Sequence, residues 1–197
     1  MVLLGLGLGG YAWWVQLQKG QRILSYWGPR ATYLIRHGER VELLLLGDSP
    51  AASSSDSPAA STGDSPSDSP AASSGDSSGE PASAISIRGR EVPILQVRDI
   101  TQVPGLVHAR HTLIVDSYYE WGGGGPADCV PEWTFALRFS SAEPQETATL
   151  VFAPNCHLVH LLEADRELRL LAGLSDALAD RSQSWFEQAQ PAGPAAP

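Results

Sequence analysis

Five histidines and two cysteines are the side chains best able to hold a metal or attack a substrate in this 197-residue chain. Four of the histidines form two close pairs, His108 with His111 and His157 with His160; Cys156 precedes the second pair and Cys129 lies upstream of it. Imidazole and thiolate suit zinc or copper, so these six residues supply adequate ligand types for a metal-dependent hydrolase or a metal carrier. Their spacing argues against a shared ion. In a strand, positions 157 and 160 point to opposite faces, and 108 and 111 share a face only where the backbone is helical. The sequence therefore leads us to assign no metal and no cofactor. Cys156, beside apolar strand residues, reads as an inert buried thiol rather than a nucleophile. A Cys129 to Cys156 bridge is the alternative if the domain faces an oxidising compartment.

A second group, Asp116, Glu120, Asp128 and Glu132, flanks the run Gly122 to Gly125 at the ends of two expected strands. Loops held by rigid strands often carry function, and acid catalysis is the chemistry these carboxylates would offer. Nothing in the spacing pairs them, and charges at strand ends are ordinarily solvated. Trp121 and Trp133 bracket the same loop, in a strand phase that places them in the core rather than on a ligand platform.

The string LIRHGER at 34–40 resembles the RHG signature of the histidine phosphatase superfamily. The resemblance covers seven residues and implies His37 as the nucleophile and Arg36 as a phosphate ligand. That chemistry also needs a second histidine and further arginines converging from a large α/β domain. Here the next apolar run leads straight into a low-complexity stretch. We read the motif as a polar turn in which Gly38 supplies backbone freedom, and no catalytic residue is assigned.

Thirteen basic against 22 acidic residues leave a net charge of −9, which argues against a surface built to neutralise nucleic-acid phosphates. No side chain is charged from Met1 to Leu17. That apolar stretch is close to the length a membrane-spanning helix needs. Tyr11, Trp13 and Trp14 suit a headgroup layer, with Lys19 and Arg22 beyond them. The expectation is a single-pass anchor meeting the bilayer through residues 2–17. A cleaved signal peptide is disfavoured, because no basic residue precedes the run and no small-x-small site follows it. Counting basic residues after the span puts the soluble part in the cytoplasm; a basic segment lost upstream of Met1 would reverse that.

Residues Lys19 to Arg30 read as a helical continuation stopped by Gly28 and Pro29, giving a membrane anchor and juxtamembrane helix over 1–30. ATYLIR and RVELLLL then open the soluble domain at 31–47, as a hairpin or as a strand after a helical turn. From 48 to 83 the composition collapses to Ser, Ala, Pro, Asp and Gly, with DSPAAS starting at 48, 56 and 68. Without aromatic or branched apolar residues this insert cannot offset its ordering entropy, so disorder is expected. The folded pattern resumes over 84–189. AISIRG and EVPILQV form a hairpin around Gly89, HTLIVDSYYEW and WTFALRF alternate as strands, and ETATLVF and CHLVHLL continue as a meander. A helix capped by Ser175 presents Leu174, Leu178, Trp185 and Phe186, and a tail at 190–197 frays. The expected fold class is thus α+β, with an N-terminal transmembrane helix, a small antiparallel sheet, a covering C-terminal helix and a disordered insert.

The order of these features, with YWGPR, VELLLL, GLVHARHTLIVDSYYEW, EWTFALRF and TLVF, resembles uncharacterised single-span bacterial proteins. The resemblance implies architecture and no reaction. The functional expectation is a membrane-tethered, non-enzymatic interaction or structural module with a protein partner. The alternative is a hydrolase, phosphatase-like through His37 or metal-dependent through His108, His111, His157 and His160.

Overall fold

Gly28 and Pro29 end one helix and begin the next. Helix α1 (Gln21–Trp27) stops at Gly28, whose φ of 85° suits a residue without Cβ, and helix α2 (Pro29–His37) starts on proline, whose missing N–H is no loss in a first turn. The computed structural model describes residues 21–47, 83–122, 129–142 and 146–191. The expectations for residues 1–20, the insert at 48–82, the loop 123–128 with Asp128, and the tail at 192–197 lie outside the described residues; Gln190 and Pro191, expected to fray with that tail, pair with Arg98 and Asp99 instead.

Beyond α2 the chain forms β1 (Arg40–Leu46), β2 (Ala84–Ile87), β3 (Arg90–Asp99), α3 (Leu106–Thr112) and β4 (Tyr119–Glu120). It continues through β5 (Phe135–Ser140), β6 (Thr147–Ala153), β7 (Leu158–Leu161), β8 (Arg166–Leu170), α4 (Ala172–Gln188) and β9 (Gln190–Pro191). Eight strands lie in the order β2-β3-β1-β5-β6-β7-β8-β4, each pair antiparallel, and β9 adds to β3 at Arg98 and Asp99. β1 is central and carries apolar side chains on both faces: Val41 and Leu43 in the main core, Leu44 and Leu46 in a second cluster. The four consecutive leucines are the mark of a strand covered on both sides.

The four α-helices among the described residues sit on one face of the sheet. Ile23 and Trp27 of α1, Leu34 and Ile35 of α2, Leu106 and Ala109 of α3, and Leu178 and Trp185 of α4 join Val41, Leu43, Phe135, Leu137, Phe139, Leu150 and Phe152 in one core. Burying a side chain of this size contributes roughly 1.5–3 kcal/mol. Because Ile23 and Trp27 are fully enclosed, the folded unit starts before Ala31.

The expected fold class is corrected on two counts. The sheet is not small, and among the described residues no helix is long and apolar enough to cross a membrane. One local alternative is decided and two local expectations change. Of the hairpin and the strand after a helical turn, the second is observed: ATYLIR is helical, since Pro29 sets the first turn, the Thr32 hydroxyl donates to Gly28 O at 2.9 Å, and burial falls on Thr32, Leu34 and Ile35. HTLIVDSYYEW is not a strand but the end of α3, a 3-10 turn at Asp116–Tyr118 and two residues of β4. The buried positions Leu106, Ala109 and Leu113 keep helical spacing that starts upstream of that window. Ser175 does not cap α4. The helix begins three residues earlier after Leu171, and Ser175, Leu178, Ser182 and Trp185 form its buried stripe.

The N-terminus of α1 is closed from far along the chain. Asp116 accepts hydrogen bonds from the Ile23 amide at 2.8 Å and the Arg22 amide at 3.3 Å, while α1 has no acidic residue in its own first turn. The Trp121 indole donates to the Asp116 carbonyl at 2.8 Å. Asp116→Ala should therefore lower stability by about 0.5–2 kcal/mol, as loss of a helix cap does, and Asp116→Asn should retain most of it. Urea unfolding of both variants measures the difference; equal midpoints for Asp116→Ala and the parent would exclude the capping role.

The ends of the 48–82 insert are held side by side. The Gly47 amide donates to Pro93 O at 3.0 Å, and the Ile94 amide donates to Ser83 O at 2.8 Å. With both ends fixed on adjacent residues of β3, doubling the loop length adds only about 0.6 kcal/mol of closure entropy. Replacing residues 48–82 with a short Gly-Ser linker should leave the thermal midpoint unchanged within a few degrees. Loss of cooperative melting would show that the insert is needed for folding.

Candidate functional site

Away from the helices, the second face of the sheet divides into an apolar half and a polar half. Cross-strand register aligns Val97, Leu44, Ala136, Val151, His160 and Glu167 in one row across β3, β1, β5, β6, β7 and β8. The β2–β3 hairpin lies over this row, packing Ile85, Ile87 and Val92 against Leu44, Leu46, Ala136 and Val151. Its tip is the two-residue turn Arg88-Gly89, both at positive φ, as expected of a tight hairpin. Arg88 reaches Glu167 of β8, Nη2 to Oε2 at 2.9 Å.

Beneath the tip lies His160, 2% exposed. Its Nε2 is 3.4 Å from Asp165 Oδ1 and its Nδ1 is 4.0 Å from Glu167 Oε2; the Trp133 ring is 5.9 Å away. Burial pushes the imidazole below its ordinary pKa; the Asp165 carboxylate opposes that shift and Arg88 reinforces it.

The neighbouring rows on the same face are polar, and the hairpin leaves them open. A depression of about 440 Å³ is lined by Glu39, Arg40, Glu42, Arg138, Ser140, Ser141, Ala142 and Thr147. Arg40 contacts Glu42 at 3.0 Å and Asp99 at 3.2 Å, and Arg138 contacts the other Glu42 oxygen at 3.4 Å. Burial raises the Asp99 pKa, but the Thr101 hydroxyl and amide and the Arg40 guanidinium outweigh it and hold the carboxyl below its usual range. Two guanidinium groups thus face two carboxylates. The lining has no histidine or cysteine, so its chemistry is hydrogen bonding and charge matching.

The residues singled out from sequence do not converge on this site. Arg36 and His37 are exposed on the last turn of α2, with the His37 ring 5.0 Å from that of Tyr33. Gly38 is required for space rather than for conformational freedom: its φ is −51°, and a Cβ there would stand 2.6 Å from Leu34 O and 3.1 Å from Ser140 O. His108 and His111 share the exposed side of α3, His157 occupies a left-handed turn before β7, and His160 is buried on the opposite face of the sheet from α3. Cys129 and Cys156 form a disulfide, so neither is a thiol and the reading of Cys156 as a buried thiol is corrected. Among the described residues no group of three or more His, Cys, Asp or Glu could hold a metal ion.

Of the carboxylates, Asp116 caps α1, Glu120 lies 3.8 Å from Arg169, and Glu132 is exposed. Trp121 packs against the main core and Trp133 against the second cluster, on opposite faces of the sheet. Sequence reasoning missed Arg40, Glu42, Asp99 and Arg138. The available signal was charge inside apolar strands, R-V-E-L in β1 and L-R-F in β5.

No family model matches this chain, and no curated protein or solved structure matches it either.

Because the folded state holds His160 below its unfolded pKa of about 6.5, the unfolded chain binds its proton first as pH falls. The contribution of neutral His160 is complete above that value and declines as pH drops toward the folded pKa. His160→Gln should flatten this dependence between about pH 6.5 and the acid limb, read from urea midpoints across pH. An unchanged slope in the variant would assign the pH dependence to other groups.

Proposed function

We propose that this chain is a non-enzymatic interaction module associated with a bilayer through residues 2–17, and that its folded part works in an oxidising compartment. The observation that carries the first part is dispersal: His37, the His108 and His111 pair, His157 and His160 occupy separate places, and Asp116 is engaged as a helix cap. Hydrolysis needs a nucleophile or activated water, a base and an electrophilic partner within reach of one substrate. The open polar half of the sheet, with Arg40, Glu42 and Arg138, is the surface offered to a partner's polar groups.

The disulfide between Cys129 and Cys156 supports the compartment, since such bridges persist where thiols are not kept reduced. It favours the side of the membrane opposite to that given by the count of basic residues. Closing a loop of 27 residues stabilises a fold by roughly 3–4 kcal/mol in the chain-entropy view.

The test combines thiol state with activity. In cells, Cys129 and Cys156 of the full chain should resist maleimide labelling until a reductant is added, and the protein should resist carbonate extraction unless residues 2–17 are deleted. Free thiols in cells would overturn the compartment. Turnover of a phosphate monoester by the purified chain, abolished in His37→Ala, would overturn the non-enzymatic reading.

A further inference from the structure

The helical layer has an uneven distribution of charge. In a chain of net charge −9, no Asp or Glu occurs from Met1 to Gly38 or from Ile100 to Val115. Those segments carry Lys19, Arg22, Arg30, Arg36 and Arg110, together with His37, His108 and His111. They include α1, α2 and α3, whereas α4 bears Asp176, Asp180 and Glu187 against Arg181.

Helices α2 and α3 bury their inner sides in the same core. They are joined where Arg110 Nη2 donates to Gly38 O at 2.6 Å. Their outer sides therefore face the same way, away from the sheet. Tyr33, Arg36 and His37 are exposed on α2; Val107, His108 and His111 are exposed on α3. Two of these are apolar or aromatic and unusually open, Tyr33 at 62% and Val107 at 76%. Arg30 is held by Glu146.

We propose that this outer face of α2 and α3 seats on an anionic bilayer surface. Arg36 gains from anionic headgroups, an arginine near the surface being worth roughly fivefold in binding, and the Tyr33 ring suits the headgroup layer. Placement agrees with chemistry. Helix α1 begins at Gln21, four residues after Leu17, a span of at most about 14 Å, and α1 abuts α2. A bilayer that holds residues 2–17 thus lies within reach of this face. The inference rests on the bilayer association proposed above. The competing occupant is the chain's own insert, which holds Asp48, Asp56, Asp64, Asp68, Asp76 and Glu80 and no basic residue.

The full chain is reconstituted into nanodiscs of phosphatidylcholine alone, or of phosphatidylcholine and phosphatidylglycerol in equal parts. Histidine modification by diethylpyrocarbonate is followed residue by residue with mass spectrometry. His37, His108 and His111 should react several-fold more slowly in the anionic discs than in the neutral ones, with His157 unchanged. The surface variant Tyr33→Ser, Arg36→Gln, Val107→Ser should remove that protection while remaining incorporated. Equal reactivity in both discs overturns the proposal. Equal protection in both discs, lost when residues 48–82 are deleted, assigns the face to the insert and also overturns it. A chain that enters neither disc overturns the underlying bilayer association.

Discussion

Between Leu45 and Leu46 the ladder joining β1 to β3 slips by one residue, because β3 inserts Leu95 where β1 has no counterpart. The bulge residue is exposed and leans over Gly47, where a Cβ would stand 2.8 Å from Leu95 Cδ2. A bulge bends its strand and increases the local twist, and past this point β3 leaves the main sheet to pair with β2. The distances show where it goes. Strand β8 is five strand spacings from β3, roughly 24 Å across a flat sheet, and the arm from Ile94 to Arg88 extends about 20 Å. Arg88 can meet Glu167 only if the arm crosses the second face. The covered apolar row, the enclosed imidazole and the open polar half all follow from that crossing.

Elements whose periodicity is local were legible in the sequence. The hairpin around Gly89 is present because Arg88-Gly89 forms a tight turn and Ile85, Ile87 and Val92 need cover. β7 lies within its expected apolar run, and β5 and β6 overlap theirs, each ending one residue later. The failures share a cause. ATYLIR, in its hairpin reading, and HTLIVDSYYEW are rich in β-branched and aromatic residues, so local propensity favours strand, but burial against the shared core imposes helix on the first and on the start of the second. Ser175 has the chemistry of a cap, yet its small side chain is used for close packing on the buried stripe of α4.

The candidate site was less legible than the fold. Arg40, Glu42, Asp99 and Arg138 come from three strands separated by the insert and by α3. No short window contains them together. The conspicuous strings misled because their residues have structural duties: Gly38 fits beneath Leu34 O, Asp116 closes α1, and Cys156 is bridged. Residue type announces possible chemistry; only the topology decides which groups meet.

Glu167 joins the two covered sides of the sheet. Its carboxylate takes Arg88 at the tip of the hairpin, while its backbone carbonyl accepts the Tyr26 hydroxyl of α1. Arg166 beside it donates to the carbonyls of Ser25 and Tyr26, and β4 pairs with Leu170 and Arg169 farther along. An edge strand left bare would offer its backbone to another chain; here α1 and β4 occupy that edge. Helix α1 and the hairpin therefore meet at one strand, although they lie on opposite faces of the sheet. Helix α1 is thus a structural member of the domain as well as its connection to residues 2–17. The polar half of the second face stays open because the hairpin runs along the apolar row to Glu167 and leaves the rows of Glu42 and Arg40 uncovered.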